Sequence, residues 1–235
     1  MKKVINVSVI IPAAGLSVRM KANKRKPYLV LGEKPIIFHT LEKFFEIPEI
    51  KEIILVVNKD DVSSVTEEWS STLKNYKVSK IIPGGKRRQD SVYQGILQIN
   101  VDTEIVLVHD GVRPMVNRNT IETVIKKAEE HGAAIVATQM KSTVKKSAPD
   151  LNIIETVPRH NLWMAQTPQG FRRNILLNAY SNIKNTDIEY TDDAEVVEKS
   201  GYTVKIVSGS DDNIKITTRE DLQLAESLLL SQTQR

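Results

Sequence analysis

Five cationic side chains cluster just after the first predicted strand, Val7–Ile11. They follow Pro12-Ala13-Ala14-Gly15, and they are Arg19, Lys21, Lys24, Arg25 and Lys26. Small residues let the backbone approach a ligand closely, and backbone amides together with cations can surround phosphate groups. The spacing matches neither a Walker A loop nor a dinucleotide-binding glycine fingerprint. The segment therefore predicts a phosphate site of another kind, bounded by Ala13, Ala14 and Gly15.

The sequence context of Lys26 differs from that of the other cations. Lys26 precedes Pro27-Tyr28-Leu29, where the chain becomes apolar again, so we expect its aliphatic stem to be anchored beside the site. For Lys21, Lys24 and Arg25 we favour exposure in a solvated loop.

Two glycines and an aspartate follow two further predicted strands. Gly84-Gly85, with Ser91 shortly after it, offers backbone groups that can read a base edge, or forms a plain turn between a strand and a helix. Asp110 can hold Mg²⁺ or a ribose hydroxyl, or it can act as a helix N-cap or pair with Arg113. From the residues alone, both alternatives stay open for each motif.

Short apolar runs alternate with helical patterns along the chain. Several runs are almost continuous Val, Ile and Leu, which is typical of strands buried on both faces of a sheet. The alternation predicts one α/β domain over residues 1–235, with a doubly wound, mostly parallel sheet that binds ligands at the carboxyl ends of its strands. The predicted strands are Val7–Ile11, Glu52–Val57, Val78–Ile82, Ile105–His109, Ala133–Thr138 and Val204–Ser208. The predicted helices are Ile36–Phe45, Val62–Tyr76, Ser91–Ile99, Thr120–His131, Asp192–Ser200 and Arg219–Leu230.

Lys141–Pro158 interrupts this alternation. Two short β-like pieces flank Pro149-Asp150, which predicts a hairpin that leaves the sheet. Such a hairpin is a partner surface, an arm of the active site, or a solvated insertion.

The composition is that of an ordinary globular protein, with 40% hydrophobic and 26% charged residues. The 33 Lys and Arg residues nearly balance the 29 Asp and Glu residues, so the net charge of +4 allows a polyanionic ligand without requiring nucleic acid. There is no cysteine, and the four histidines lack metal-ligand spacing, so we interpret them as structural or surface residues. No apolar run is long enough for a membrane span or a signal peptide, which makes the cytoplasm the expected location.

Six motifs, in order, resemble the family of 2-C-methyl-D-erythritol 4-phosphate cytidylyltransferases. Ser17 stands where the family usually has glycine, and Gly111-Val112 replace two alanines. The motifs are Pro12-Ala13-Ala14-Gly15-Leu16-Ser17-Val18-Arg19-Met20 with Lys26-Pro27-Tyr28-Leu29; Gly84-Gly85 to Ser91-Val92; His109-Asp110 to Arg113-Pro114; Leu162-Trp163-Met164-Ala165-Gln166-Thr167-Pro168-Gln169; Thr191-Asp192-Asp193-Ala194; and Asn213-Ile214-Lys215-Ile216-Thr217.

The resemblance implies a Rossmann-like nucleotidyltransferase fold of the GT-A type, with residues 141–158 as a protruding β-hairpin arm. It implies transfer of CMP from CTP to 2-C-methyl-D-erythritol 4-phosphate with Mg²⁺, in a homodimer whose arm reaches the neighbouring subunit. The implied catalytic residues are Arg19, Lys26, Arg159 and Lys215. The implied nucleotide-binding residues are Ala13, Ala14, Gly15, Gly84, Gly85, Ser91 and Asp110, with Asp110 also as metal ligand. The implied residues for the sugar phosphate are Arg113, Thr143, Arg159 and Thr167.

Two alternatives accompany this interpretation. A sister cytidylyltransferase that uses ribitol 5-phosphate shares the nucleotide half, but its opening is usually Ala-Gly-Gly and it lacks the Leu-Trp pair seen here at Leu162-Trp163. A basic module that binds RNA without catalysis is the remote alternative, since aromatic residues are only 5% of the chain and no RNA-binding signature is present. We therefore expect neither a nucleic-acid partner nor a membrane partner.

Overall fold

A seven-stranded sheet forms the centre of the computed structural model, which describes residues 5–15, 25–183 and 186–233. Along the sheet the strand order is β11-β7-β10-β6-β1-β4-β5. These strands are β1 (Val7–Pro12), β4 (Ile50–Val57), β5 (Val78–Pro83), β6 (Ile105–Val108), β7 (Ala133–Gln139), β10 (Trp163–Arg172) and β11 (Lys205–Ser208). Two small pairs lie outside the sheet: β2 (Val30–Leu31) with β3 (Lys34–Pro35), and β8 (Val144–Ser147) with β9 (Ile153–Val157).

The predicted parallel arrangement is confirmed for all but one strand of the central sheet. β1 pairs in parallel with β4 and β6, β4 with β5, and β11 with β7, whereas β10 runs antiparallel between β6 and β7. β10 was not predicted as a strand because polar residues interrupt its apolar pattern. Its buried Gln166, Thr167 and Gln169 are nevertheless compatible with the sheet, since the side chain of each has a hydrogen-bond partner in a segment next to the sheet.

Seven α-helices surround the sheet and the loops at its carboxyl edge in the described ranges. They are α1 (Ile36–Phe45), α2 (Val62–Asn75), α3 (Arg88–Ile96), α4 (Arg118–His131), α5 (Arg173–Ile183), α6 (Asp193–Lys199) and α7 (Arg219–Thr233). The prediction of α1 was correct at both ends. α3 begins three residues before the predicted Ser91, because the Asp90 carboxylate accepts a hydrogen bond from the Arg87 amide and so caps an earlier first turn. α5 was missed altogether. None of these helices is long and apolar enough to cross a membrane.

The apolar strands are buried on both faces, as their composition predicted. In β4, Ile53 and Leu55 belong to the cluster on one face of the sheet, and Ile54 and Val56 belong to the cluster on the other face. Successive side chains of a strand point to opposite faces, so a strand between two helical layers needs apolar residues at every position. Polar residues that could bind ligands are therefore expected in the loops that follow these strands.

A third apolar cluster, which we call the C-terminal cluster, lies under the loops at the carboxyl edge of the sheet. Its buried members are Leu31, Ile36, Met115, Ile216 and Ala225. It joins the β2–β3 turn, the start of α1, the loop after β6, the segment before α7 and α7 itself. His39 of α1 is buried nearby, where desolvation lowers the pKa of its imidazole and Nε2 lies 2.7 Å from the Leu31 carbonyl oxygen.

The predicted hairpin is present as β8 and β9, which pair antiparallel. Almost all of its residues are exposed, including apolar ones: Leu151 is 84% exposed, Ile153 63% and Ile154 60%. Apolar side chains at a hairpin tip gain nothing from folding of the single chain, so they point to contact with another surface.

Candidate functional site

A cavity of about 250 Å³ opens where β1, β5 and β6 end. Ligands of open α/β sheets bind at this edge, because loops after neighbouring parallel strands converge there. The lining includes most of the residues predicted for the nucleotide among those that the structure describes. It consists of Pro12, Ala13, Ala14, Gly15, Lys26, Pro27, Gly85, Lys86, Arg87, Arg88, Ser91, Asp110, Val112 and Lys215.

Asp110 is the electrostatic centre of this cavity. The residue is 6% exposed, and its carboxylate contacts three cations among the described residues: Lys215 Nζ at 3.0 Å, Arg113 Nε at 3.1 Å and Arg88 Nε at 3.5 Å. Burial alone would raise the pKa of Asp110, but the three cations outweigh burial and hold that pKa well below its usual range. Asp110 is therefore ionised at neutral pH, and the ion pair with Arg113 that the sequence left open is present.

His109 links the Asp110 loop to β10 through hydrogen bonds. Its Nε2 lies 3.0 Å from the Arg113 carbonyl oxygen, which can only accept, so Nε2 donates and Nδ1 accepts from the Thr167 hydroxyl at 3.0 Å. The Thr167 oxygen in turn accepts from the Asp110 amide at 3.1 Å. Burial lowers the pKa of His109 to about 4, which keeps the imidazole neutral in this chain of bonds. His109 is thus a buried structural histidine, one of the two alternatives predicted for it.

Arg88 is a site residue that the sequence analysis did not single out. Its Nη2 lies 2.8 Å from Asp193, which is completely buried and also accepts a hydrogen bond from the Tyr180 hydroxyl at 2.6 Å. The neighbouring acids Asp193 and Asp110 raise the pKa of Arg88 against the desolvation that lowers it. The only signal in the sequence was its place in the cationic run after Gly84-Gly85, together with the acids that begin α6.

Gly84 and Gly85 form a tight turn that packs on Ser91. A Cβ atom on Gly84 would lie 2.6 Å from Ala14 Cβ, and one on Gly85 would lie 2.4 Å from Asp90 Cβ, so neither position has room for a side chain. The Ser91 hydroxyl accepts from the Gly85 amide at 3.1 Å and donates to the Arg87 carbonyl oxygen at 3.2 Å. Ser91 therefore braces the glycine turn while it also lines the cavity.

The turn that carries Lys26 is anchored, as its sequence context predicted. Pro27 is buried, and the Tyr28 ring packs edge-on against Trp69 with centroids 5.4 Å apart. Arg25, predicted to be a solvated loop residue, instead pairs with Asp61 at 2.6 Å. The predicted residues Arg19, Lys21 and Lys24, and Ser17, lie outside the described residues.

A second cavity of about 250 Å³ lies beside the first. The two cavities share Arg88, Asp110 and Lys215. Arg113 and Thr167, both predicted to bind the sugar phosphate, line the second cavity. The remaining lining residues are Ala165, Gln166, Gln169, Thr191 and Asp192. Lys215 lies in a loop, although alternation with isoleucines in Asn213-Ile214-Lys215-Ile216 suggested a strand.

Thr143 and Arg159 line neither cavity. Both are exposed at the base of the β8–β9 hairpin, where an Arg159 guanidinium nitrogen donates to the Lys141 carbonyl oxygen. Within one chain, the structure therefore does not bring these two predicted residues into the cavities that Asp110 lines.

The comparisons with known proteins agree with this geometry. A family model described as 2-C-methyl-D-erythritol 4-phosphate cytidylyltransferase matches residues 7–231. The chain belongs to this family. As a member, it transfers a cytidylyl group from CTP to 2-C-methyl-D-erythritol 4-phosphate in isoprenoid precursor biosynthesis, which makes it a nucleotidyltransferase. The ribitol phosphate and RNA-binding alternatives are therefore not retained.

Individual relatives match over almost the whole chain. The 2-C-methyl-D-erythritol 4-phosphate cytidylyltransferase of Alkaliphilus oremlandii is 44% identical, with 97% of each chain covered. That of Bacillus licheniformis is 43% identical, with 96% of each covered. The crystal structure of a 4-diphosphocytidyl-2C-methyl-D-erythritol synthase from Anaerococcus prevotii superposes with a TM-score of 0.84 at 32% identity, again with 96% of each chain covered. The predicted α/β nucleotidyltransferase fold is confirmed by this likeness.

Proposed function

We propose that the two neighbouring cavities divide the two substrates of cytidylyl transfer. The first cavity takes CTP, and the second takes the methylerythritol phosphate. The observation that carries this division is the shared wall of Arg88, Asp110 and Lys215, which puts cations at the place where the cavities meet. Two anionic substrates repel one another, so positive charge is needed at their meeting point.

In this proposal the nucleotide lies over the loops after β1 and β5. Ala13, Ala14 and Gly15 leave the backbone of the first loop open to the triphosphate, with Gly15 exposed at its end. Gly84 and Gly85 present the base-reading edge of the second loop, and Ser91 holds that edge in place through its bond to the Gly85 amide. Arg19, which lies outside the described residues, is proposed from the sequence motif to bind the triphosphate as well.

The reaction joins a phosphate oxygen of the sugar phosphate to the α-phosphorus of CTP. The bond between that phosphorus and the bridging oxygen breaks at the same centre, and pyrophosphate leaves with the bonding electron pair. The attacking phosphate is already ionised at neutral pH, so no general base is required. This fits a site of Lys and Arg in which the buried histidine next to Asp110 is occupied by structural bonds.

The cations have separate tasks in this mechanism. Lys26 and Arg19 stabilise the charge that grows on the α-phosphoryl group and on pyrophosphate, while Lys215 and Arg159 orient the attacking phosphate. Asp110 fixes the Lys215 ammonium group at 3.0 Å and the Arg113 guanidinium at 3.1 Å before substrates arrive. Preorganised charge of this kind is usually the largest contribution to catalysis.

We further propose that Mg²⁺ accompanies CTP and that Asp110 holds it. Mg²⁺ sites in nucleotide enzymes commonly use one or two carboxylates, with substrate phosphates as further ligands. Asp110 fits such a site, since Oδ2 contacts two cations whereas Oδ1 has one, at 3.5 Å. When bound, the ion would neutralise phosphate charge and polarise the α-phosphoryl oxygen. Within the described residues there is no cluster of three acidic, histidine or cysteine ligands that would hold a metal without the nucleotide.

Pyrophosphate release tests the metal requirement. We expect release from CTP and 2-C-methyl-D-erythritol 4-phosphate to stop when EDTA removes divalent ions and to return when excess Mg²⁺ is added. The apo protein should bind Mg²⁺ weakly without CTP, because a single carboxylate is available. Full activity in EDTA, or tight Mg²⁺ binding to the apo protein, would contradict this assignment.

We also propose a homodimer, in which residues 1–235 form one domain and residues 141–158 form its arm. The exposed Leu151, Ile153 and Ile154 would be buried against the partner, and the arm would bring Thr143 and Arg159 to the partner's second cavity. This arrangement accounts for the exposure of these two residues outside the cavities of their own chain.

Replacement of Ile153 and Ile154 by Asp together is expected to convert the dimer into a monomer, because charged groups cannot be buried in an apolar contact. Light scattering during size-exclusion chromatography measures the mass. Val101→Asp is the matched control, since Val101 is 80% exposed far from the arm in the turn before β6. A wild-type monomer, or a double variant that stays dimeric, would refute the arrangement.

Mixed dimers test whether Arg159 acts across subunits. Arg159→Ala and Lys26→Ala proteins, each impaired alone, should recover roughly a quarter of wild-type activity after subunit exchange, because random pairing leaves one intact site in every mixed dimer. If both residues serve the site of their own chain, mixing recovers nothing. We also propose that the protein acts in the cytoplasm without nucleic-acid or membrane partners. This location fits an enzyme whose two substrates are small soluble molecules.

A further inference from the structure

The first turn of α7 is bonded to the segment that carries Lys215. Asp221 Oδ2 accepts hydrogen bonds from the Thr217 amide at 2.7 Å, from the Thr217 hydroxyl at 2.7 Å and from the Thr218 amide at 2.9 Å. The Asp221 amide in return donates to the Thr218 hydroxyl at 3.2 Å. Burial would raise the pKa of Asp221, but the bonds from Thr217 and Thr218 lower it below its usual value. One carboxylate thus fixes the backbone two and three residues after Lys215.

The same segment is held from two further sides. Ile216 is completely buried in the C-terminal cluster with Ala225 of α7, and its amide donates to the Val112 carbonyl oxygen at 2.9 Å. At the other end, the Asn213 side-chain amide donates to the Thr167 carbonyl oxygen at 2.9 Å. The backbone around Lys215 is therefore attached to α7 on one side and to the Asp110 loop and β10 on the others.

Lys215 itself has no such support along its side chain. It is 40% exposed, it has four rotatable bonds, and its only described ion-pair partner is Asp110, at 3.0 Å. A long flexible side chain reaches a given point reproducibly only if its own backbone is fixed, and a displacement of 1 Å can cost a large factor in rate. None of the described residues of α7 lines either cavity, so α7 can affect catalysis only indirectly, and the Lys215 segment is one of the elements through which it can act.

We infer that Asp221 is a positioning residue for the reaction: its three hydrogen bonds from Thr217 and Thr218 place Lys215 at the boundary of the two cavities. On this inference α7 contributes to function through Asp221, although none of its described residues lines the two cavities. The inference rests on the role of Lys215 in the proposed function, and it adds a residue to which the sequence motifs gave no function.

The test compares Asp221→Ala with Asn117→Ala. Asn117 caps α4 through a 2.8 Å bond to the Thr120 amide, so both substitutions remove a helix cap, but only the first changes the Lys215 segment. We expect similar losses in melting temperature for the two variants. We expect a fall in kcat of about tenfold for Asp221→Ala, with little change in the KM for CTP, and a kcat close to wild type for Asn117→Ala. Equal kcat values for the two variants would overturn the inference.

A double-mutant cycle with Lys215→Ala separates positioning from general damage. If Asp221 acts through Lys215, adding Asp221→Ala to Lys215→Ala lowers kcat little further, whereas two independent effects multiply. If the two fold-reductions in kcat multiply in the double variant, the inference is overturned, while the role of Lys215 is unaffected. A Lys215→Ala enzyme with wild-type turnover would instead overturn that role, and with it the inference. Asp221→Asn, which keeps an acceptor oxygen, should retain more activity than Asp221→Ala, and it replaces Asp221→Ala in the cycle if that protein does not fold.

Discussion

Lys26→Ala is expected to reduce kcat/KM by roughly a hundredfold or more, since loss of one preorganised electrostatic donor typically costs ~3 kcal/mol of transition-state stabilisation. Lys26 lines the first cavity, where the triphosphate is proposed to lie. Removal of its ammonium group takes away one of the cations that are proposed to compensate the charge on the departing pyrophosphate. The effect should fall mainly on kcat, because the charge to be stabilised grows as the bond breaks.

The turn that carries Lys26 has contacts that survive the substitution, which makes the kinetic effect of the substitution interpretable. The turn is held by buried Pro27, by packing of Tyr28 on Trp69, and by a Leu29 amide bond to the Lys26 carbonyl oxygen at 3.1 Å. None of these contacts needs the ammonium group. Lys59→Ala, a change of an exposed lysine outside the cavity, is the matched control. Steady-state pyrophosphate release measures both, and near-normal turnover of Lys26→Ala would refute its role.

Asp193→Ala should produce the largest loss of stability, about 3–5 kcal/mol in the free energy of unfolding. Asp193 is completely buried and accepts hydrogen bonds from Arg88 at 2.8 Å and from Tyr180 at 2.6 Å. Its removal leaves the Arg88 guanidinium with only its longer contact to Asp110, at 3.5 Å, and leaves the Tyr180 hydroxyl without its partner. Removal of one member of a buried pair costs far more than the pair contributes, because the remaining charge is desolvated and unpaired.

Urea unfolding at neutral pH measures this loss as a lower midpoint with an unchanged m-value. Asp187→Ala, a change of an exposed carboxylate in the segment before α6, is the control and should change the midpoint little. Tyr180→Phe should cost less, about 1–3 kcal/mol, because one hydrogen bond to a charged group is lost and the ion pair remains. An Asp193→Ala midpoint equal to that of Asp187→Ala would show that the buried pair contributes nothing.

The sheet could be predicted from the sequence where burial on both faces forces a continuous apolar run, as in β1, β4 and β6. β10 could not, because its buried polar residues are compatible with the sheet only through partners that are distant in sequence. Gln169 donates to Asp192 at 2.8 Å and accepts from the Ala194 amide at 3.0 Å. Hydrogen bonds between residues that are far apart in sequence leave no local pattern from which a strand could be predicted.

The site residues also differ in this way: some could be predicted from local motifs, and others depend on partners that are distant in sequence. Lys26, Gly85 and Asp110 lie in motifs for which the sequence suggested phosphate, base-edge and metal or ribose contacts, and the structure brings the three residues to one cavity. Arg88 was missed because its significance comes from Asp193, which is far along the chain but 2.8 Å away in space. Asp221 was predicted only as one residue of the last helix, since nothing in its sequence context reveals that Lys215 depends on it.

The shared wall of the two cavities has a consequence for the energetics of ligand binding. Arg88, Asp110 and Lys215 belong to both cavities, so a ligand that draws a cation away from Asp110 in one cavity changes the electrostatic potential in the other. If each cavity takes one substrate, as proposed, the two substrates have a coupling free energy, and by thermodynamic linkage each changes the affinity of the other by the same factor. The affinity of an inhibitor that binds in one cavity would likewise depend on the ligand in the other cavity. Its potency would therefore vary with the concentration of the substrate that it does not displace.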